Sequence, residues 1–138
     1  MFIYGLGSDI VNVNRLKSIL KKNKFFKKRI FSKNEILLCE KKKNSHLCFA
    51  KRFAAKESFS KSLGTGISKG LSFNEIEIKN DLLGKPYLKI HGKSLKTVHK
   101  IIKKKRFKVF LSLSDDKPFV IATVILTIWW KIKLLTFL

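Results

Sequence analysis

A chain of 138 residues is long enough for one domain with a modest core, and its 45% apolar content excludes wholesale disorder. Its formal charge of +22 calls for an anionic partner: nucleic acid, an acidic protein, a phosphorylated ligand or a membrane surface. The excess is nearly all lysine, with arginine only at Arg15, Arg29, Arg52 and Arg106, whereas nucleic-acid readers lean on arginine for bidentate contacts.

The opening "FIYGLGSDIVNV" is rich in β-branched and aromatic residues and reads as a strand broken near Gly5 and Gly7. Glycine inside a strand marks a bulge or a close backbone approach. The N-terminus has no basic leader or small-residue cleavage site, so no signal peptide is expected. From Asn14, helical spacing runs through Leu16, Ile19, Leu20, Phe25, Phe26 and Ile30, with Arg15, Lys17, Lys21 and Lys22 on the polar face. Ser32 and Glu35 are spaced as a capping box and predict a helix to about Lys41. Cys39 and Cys48 read as two separate thiols without a metal-ligand spacing, which suits a reducing cytoplasm.

A third helix is predicted from His46 to Leu63, stopped by Gly64, Thr65 and Gly66. On its wheel Glu57 points among Ala50, Phe53 and Ala54, with Lys61 one turn further on. Two readings stay open: an ordinary i,i+4 stabilising pair, or one wall of a site. Lys56 falls towards the apolar arc, which a simple amphipathic helix does not explain. "LSFNEIEIK" and "YLKI" then read as two strands around a turn at Gly84 and Pro86. A helix follows over residues 92–105, and "FKVFLSLS" and "FVIATVIL" form a terminal hairpin. The apolar run Phe119–Trp130 is roughly 12 residues, short of the roughly 20 that span a bilayer. No integral membrane segment is expected. The tail beyond residue 126 is basic and aromatic and reads as an extension.

Asp9 lies in an apolar strand, where an unpartnered acid is costly, and only nine acids occur in the chain. Its alternatives are an acid hydrogen-bonded to nearby amides, or one of a Mg²⁺-binding pair with Glu57. Lys61, the Gly64–Gly66 backbone and Lys85 beside Gly84 suit a phosphorylated ligand. No P-loop and no dinucleotide-binding glycine motif is present.

"GLGSDIVNVNRL", "FAKRFAAKESFSKSLGTGI", "NDLLGKPYLKI" and "LSLSDDKPFVIATVI" follow one another in an order that resembles the holo-[acyl-carrier-protein] synthases, the short bacterial 4′-phosphopantetheinyl transferases. The resemblance covers residues 2–126 and implies a compact α+β fold, an antiparallel sheet packed with helices, forming homotrimers with sites between subunits. It implies a 1–126 transferase domain with a 127–138 extension. The implied reaction moves 4′-phosphopantetheine from coenzyme A to a serine of apo-acyl carrier protein, releasing adenosine 3′,5′-bisphosphate, in support of fatty acid biosynthesis. Asp9 and Glu57 match the metal carboxylates for Mg²⁺, and Lys61 the catalytic lysine near the pyrophosphate. Arg52, Lys61, Gly64, Thr65, Gly66, Lys85 and Pro86 match positions around coenzyme A. The acidic carrier protein is expected on the first helix: Arg15 matches a family arginine, and charge and spacing add Lys17, Lys21 and Lys22. Where some relatives carry a histidine in the terminal hairpin, this chain has Ser114, Asp115 and Asp116, so no histidine role transfers. A basic nucleic-acid module and a membrane-associated protein using the tail are the competing readings. The resemblance favours a cytoplasmic enzyme without a nucleic-acid partner.

Overall fold

A computed structural model describes residues 1–65, 70–103 and 106–129. Gly66, part of the expected coenzyme A set, and residues 130–138 of the tail lie outside the described residues.

The architecture is α+β. Strand β1 (Phe2–Asn12) leads into helices α1 (Val13–Lys22), α2 (Lys24–Ile30), α3 (Lys33–Glu40) and α4 (Ser45–Ser62). After a short 3₁₀ turn come β2 (Ile76–Asn80), β3 (Pro86–Ile90), α5 (Gly92–Ile102), β4 (Phe107–Asp116) and β5 (Phe119–Ile128). An antiparallel sheet runs β1-β5-β4, and β2 and β3 form a separate hairpin.

The expected break in β1 is absent. The strand is continuous, with a register shift between Ile3 and Gly5. The glycines serve both of the roles offered to them: the register shift falls at Gly5, and both allow close approach. A Cβ on Gly7 would lie 1.7 Å from the Ser58 carbonyl oxygen, and one on Gly5 would lie 1.9 Å from that of Ser62. These two positions let α4 lie directly on the strand.

The long amphipathic pattern after Asn14 is two helices. Asn23 ends α1 and caps α2, its side chain accepting from the Phe25 and Phe26 amides. An asparagine satisfies the free amides of a helix start better than it extends one, so the apolar period continues while the axis turns. The expected capping box at α3 forms: Ser32 Oγ accepts from the Glu35 amide, and Glu35 accepts from the Ser32 amide.

Helix α4 is central, packed against β1, β5, α1 and α3. Its buried residues include Phe49, Ala50, Ala54, Ala55 and Phe59 and extend around most of the helix. That explains Lys56, which is fully buried. Its ammonium donates to Glu35 Oε2 at 2.6 Å, the Ile30 carbonyl at 2.7 Å and the Phe73 carbonyl at 2.8 Å, using all three protons. Glu35 Oε1 accepts from the Ile78 amide at 2.8 Å. One ion pair thus ties the end of α2, the start of α3, the middle of α4 and β2 together, and every polar group in it is satisfied.

Cys39 and Cys48 are not separate thiols. They form a disulfide joining the end of α3 to the first turns of α4. Their Cα atoms are 5.4 Å apart, within bridging range, because the polar break between the helices folds them into a corner. Paired in this way, the two cysteines give no sign of a reducing compartment.

On the inner side of the sheet, Val120, Ala122, Val124 and Leu126 are fully buried under α4. The opposite side carries Leu6 paired with Ile125, and Ile10 paired with Ile121. All four are exposed, as is Phe119. Strand alternation therefore gives this sheet two apolar faces, one of them uncovered.

Candidate active site

Asp9 belongs to the inner face of β1, the same face as Gly5, Gly7 and Val11. The missing side chains at Gly5 and Gly7 bring α4 close enough for its residues to reach Asp9. Lys61, in the last turn of α4, donates to Asp9 Oδ1 at 2.9 Å and to the Ser8 carbonyl at 2.9 Å. The lysine therefore crosses from helix to strand. The i,i+4 pair that sequence spacing offered to Glu57 is not an ion pair here; among the described residues Glu57 has no hydrogen-bonded partner.

Glu57 and Asp9 line the same cavity, of about 550 Å³, with Asn12, Arg15, Ile19, Phe53 and Phe119 among its walls. Burial pushes the Glu57 carboxyl above its usual value, the nearby Asp9 charge adds to this, and Lys61 opposes it. Two carboxylates near each other with one cation between strand and helix is an unbalanced arrangement. An added cation would relieve it. Phe53, one turn before Glu57, supplies the low-dielectric wall; Phe119 does so from β5, a contribution that no sequence spacing reveals.

Arg15 of α1 also lines this cavity. Lys17 does not: it lines a separate cavity of about 240 Å³ with Asn14, Asn44, His46 and Lys117. Burial and the charges of Lys17, Lys21 and Lys27 hold the His46 pKa down. The expected basic face of α1 is thus split between Arg15 on the side of Asp9 and Glu57 and Lys17 and Lys21 towards His46. Lys22 is exposed at the end of the helix.

The expected coenzyme A residues are likewise divided. Arg52 and Pro86 line a cavity of about 310 Å³ with Lys51, Asn80, Gly84 and Ser112. Arg52 precedes Glu57 by five positions, so the two side chains leave α4 about 140° apart. Arg52 is buried, its NH1 group donates to the Cys48 carbonyl at 3.4 Å and Cys48 Sγ at 3.2 Å, and its Nε has no partner among the described residues. Lys51 beside it pairs with Asp115 of the terminal hairpin at 2.9 Å. Lys85 is exposed in the β2–β3 turn, its amide held by Asp81. Gly64 adopts φ +76° and ends α4 as its sequence predicts; Thr65 follows it.

The model of the 4′-phosphopantetheinyl transferase superfamily matches residues 5–124. The chain belongs to this family. The transferase is 48% identical over 126 residues to the holo-[acyl-carrier-protein] synthase of Pelagibacter ubique, covering 91% of this chain and 98% of that one. It is 47% identical over 126 residues to the enzyme of Ruthia magnifica, covering 90% and 96%. Among solved structures, the holo-[acyl-carrier-protein] synthase of Neisseria meningitidis matches with a TM-score of 0.81 at 38% identity, over 92% of this chain and 100% of that one. The Bacillus anthracis enzyme, solved in complex with coenzyme A (3′,5′-ADP), matches with a TM-score of 0.73 at 38% identity, over 91% and 97%. No helix among the transferase's described residues is long and apolar enough to cross a membrane.

Proposed function

We propose that Asp9 and Glu57 form the Mg²⁺ site of this holo-[acyl-carrier-protein] synthase, which transfers 4′-phosphopantetheine from coenzyme A to a serine of apo-acyl carrier protein. The observation that carries the assignment is the shared cavity: two carboxylates from different elements, one with its pKa raised by burial and then by the other's charge, beside Arg15 and within reach of Lys61. No group of three or more His, Cys, Asp or Glu that could hold a metal occurs among the described residues. Two carboxylates suffice for Mg²⁺ when phosphate oxygens and water complete its shell, so the donor set fits. When bound, the ion would polarise the coenzyme A pyrophosphate and offset the charge that develops on it.

The protein's own groups divide the remaining work. The serine oxygen bonds to the pantetheine-bearing phosphorus as the pyrophosphate P–O bond breaks, and adenosine 3′,5′-bisphosphate leaves. Glu57, unpartnered among the described residues and with a raised pKa, accepts the serine proton directly or through water. Lys61, half exposed on the rim, turns its ammonium to the leaving phosphate. Arg15 and the neighbouring lysines Lys17, Lys21 and Lys22 steer the acidic carrier protein to the mouth of the cavity.

Arg52, with its unpartnered Nε, and Pro86 and Lys85 of the hairpin would hold the nucleotide end, and the Gly64–Gly66 backbone would approach its phosphates. Arg52 and Glu57 face different cavities, so one coenzyme A that meets both sets bridges two copies of the chain. The uncovered apolar face of β1 and β5 supports such an assembly, a homotrimer. A cytoplasmic setting accords with these substrates.

The test is mass spectrometry of apo-acyl carrier protein incubated with the chain, coenzyme A and Mg²⁺. A phosphopantetheine adduct that disappears with a chelator and in folded Asp9→Ala and Glu57→Ala variants is expected. Undiminished transfer by either variant would overturn the metal assignment, and no adduct from folded wild type would overturn the activity.

A further inference from the structure

The Cys39–Cys48 pair is unused by the transfer reaction, yet it touches a residue that the reaction employs. Cys48 lies in the first turns of α4, one turn before Arg52, and its sulfur and carbonyl take the NH1 group of that arginine. Arg52 in turn lines the cavity assigned to the nucleotide end of coenzyme A. The cross-link also closes the corner between α3 and α4, and α3 carries Glu35, the carboxylate that binds Lys56 and the β2 amide. Both routes lead from the sulfur pair to the same cavity.

We propose that Cys39 and Cys48 are a thiol–disulfide exchange site that sets how well the Arg52 cavity holds coenzyme A. In the disulfide form the Cys48 sulfur is uncharged and a weak acceptor, which leaves the guanidinium charge directed at an anionic ligand. In the reduced form a thiol beside a guanidinium ionises readily, and its thiolate competes for Arg52. Reduction also frees the corner, so the cavity wall loses its anchor.

The exchange is balanced with a dithiol as the co-reactant. Its thiolate attacks Cys48, the more exposed of the two residues at 8% against 0% for Cys39. The Cys39–Cys48 bond breaks and Cys39 leaves as a thiolate. The second thiol of the reductant then attacks the mixed disulfide, releasing Cys48 beside Arg52. The protein gains two electrons and two protons, and the dithiol becomes a disulfide.

This inference rests on the assignment of Arg52 to coenzyme A, and its two halves are read separately. Full-length protein is equilibrated with glutathione disulfide or with dithiothreitol, alkylated, and digested without further reduction. A Cys39–Cys48 cross-linked peptide is expected in the first case and two alkylated cysteines in the second. Two alkylated cysteines in both would overturn the exchange site. Steady-state transfer is then measured on both forms. KM for coenzyme A is expected to rise about five- to tenfold on reduction with kcat little changed, and Cys39→Ser to behave as the reduced form under both conditions. Equal KM values in the two forms would overturn the link to the cavity. Arg52→Ala identifies the source of such a failure. If it leaves KM unchanged, the Arg52 assignment is wrong, whereas a raised KM in that variant beside equal redox forms places the fault in the coupling.

Discussion

Lys61 of α4 reaches across to Asp9 of β1, its ammonium 2.9 Å from Oδ1, and leaves its helical neighbour Glu57 without a hydrogen bond among the described residues. The lysine is half exposed, so the pair itself contributes at most about 1 kcal/mol to stability. Under the proposed mechanism its value lies in catalysis. Lys61→Met is expected to unfold at nearly the wild-type urea concentration while turnover falls about 10²-fold, the usual loss when one charge-stabilising donor is removed. Equal turnover in the folded variant would remove Lys61 from the reaction.

Glu57 supplies the pH dependence. Its carboxyl is raised above the usual 4.5 by burial and by Asp9, so folding favours its protonated form. The stabilising contribution is complete below 4.5 and is lost as pH rises through the elevated value. Without divalent cations, Glu57→Gln should therefore match wild type in acid and exceed it in stability near neutrality. Parallel urea melts across this range check it, and adding Mg²⁺ should stabilise wild type but not the variant. A constant stability difference across the pH range would contradict the origin assigned to the shift.

Removing one partner of the buried Lys56–Glu35 pair strands the other charge in the core. Lys56→Met or Glu35→Gln should each cost about 3–5 kcal/mol, and the two together less than their sum, as a double-mutant cycle by urea unfolding will read. Burial lowers the Lys56 pKa from 10.5 to about 8, although Glu35 pulls it the other way. Protons bound by the unfolded chain then exceed those on the native one between about pH 8 and 10.5, so this lysine's contribution to stability grows with pH over that window. Lys56→Met should lose that slope.

Two glycines separate steric from torsional demands. Gly7→Ala would place a methyl group 1.7 Å from the Ser58 carbonyl, which is backbone and cannot swing away. A loss of about 3 kcal/mol or more is expected, with α4 displaced from β1 and the Asp9–Lys61 contact broken. Gly64→Ala meets no atom within 4 Å and bears only its positive φ, a cost of about 1–2 kcal/mol. Thermal melts of the two variants should rank them in this order.

The uncovered face of β1 and β5 predicts a mass measurement. Ile121→Glu and Ile125→Glu place charge on exposed positions, at little cost to an isolated chain. In an assembly built on that face they should shift the sedimenting species from trimer to monomer. Transfer should fall in parallel, since Arg52 and Glu57 would no longer meet around one coenzyme A. A wild-type monomer with full activity would refute both statements.

The order of motifs along the chain determined the family, and local chemistry determined much of the fold. The Ser32–Glu35 box, the glycine stop after α4 and the terminal hairpin depend on residues near one another in sequence, which is why they were legible. Asp9 and Glu57, which the motifs paired, line one cavity, and the fold adds Arg15 to its wall. What only the tertiary structure decided were the partners of long side chains and the uses of small ones. Helical spacing offered Lys61 a neighbour four residues away; packing gave it Asp9, 52 residues away. The same packing buried Lys56 on Glu35, joined two cysteines that sequence left apart, and set a cavity beside Arg52 on the side of α4 away from Glu57. Spacing along a helix fixes the direction in which a side chain leaves, but which groups lie in that direction is set by elements brought there by the rest of the core.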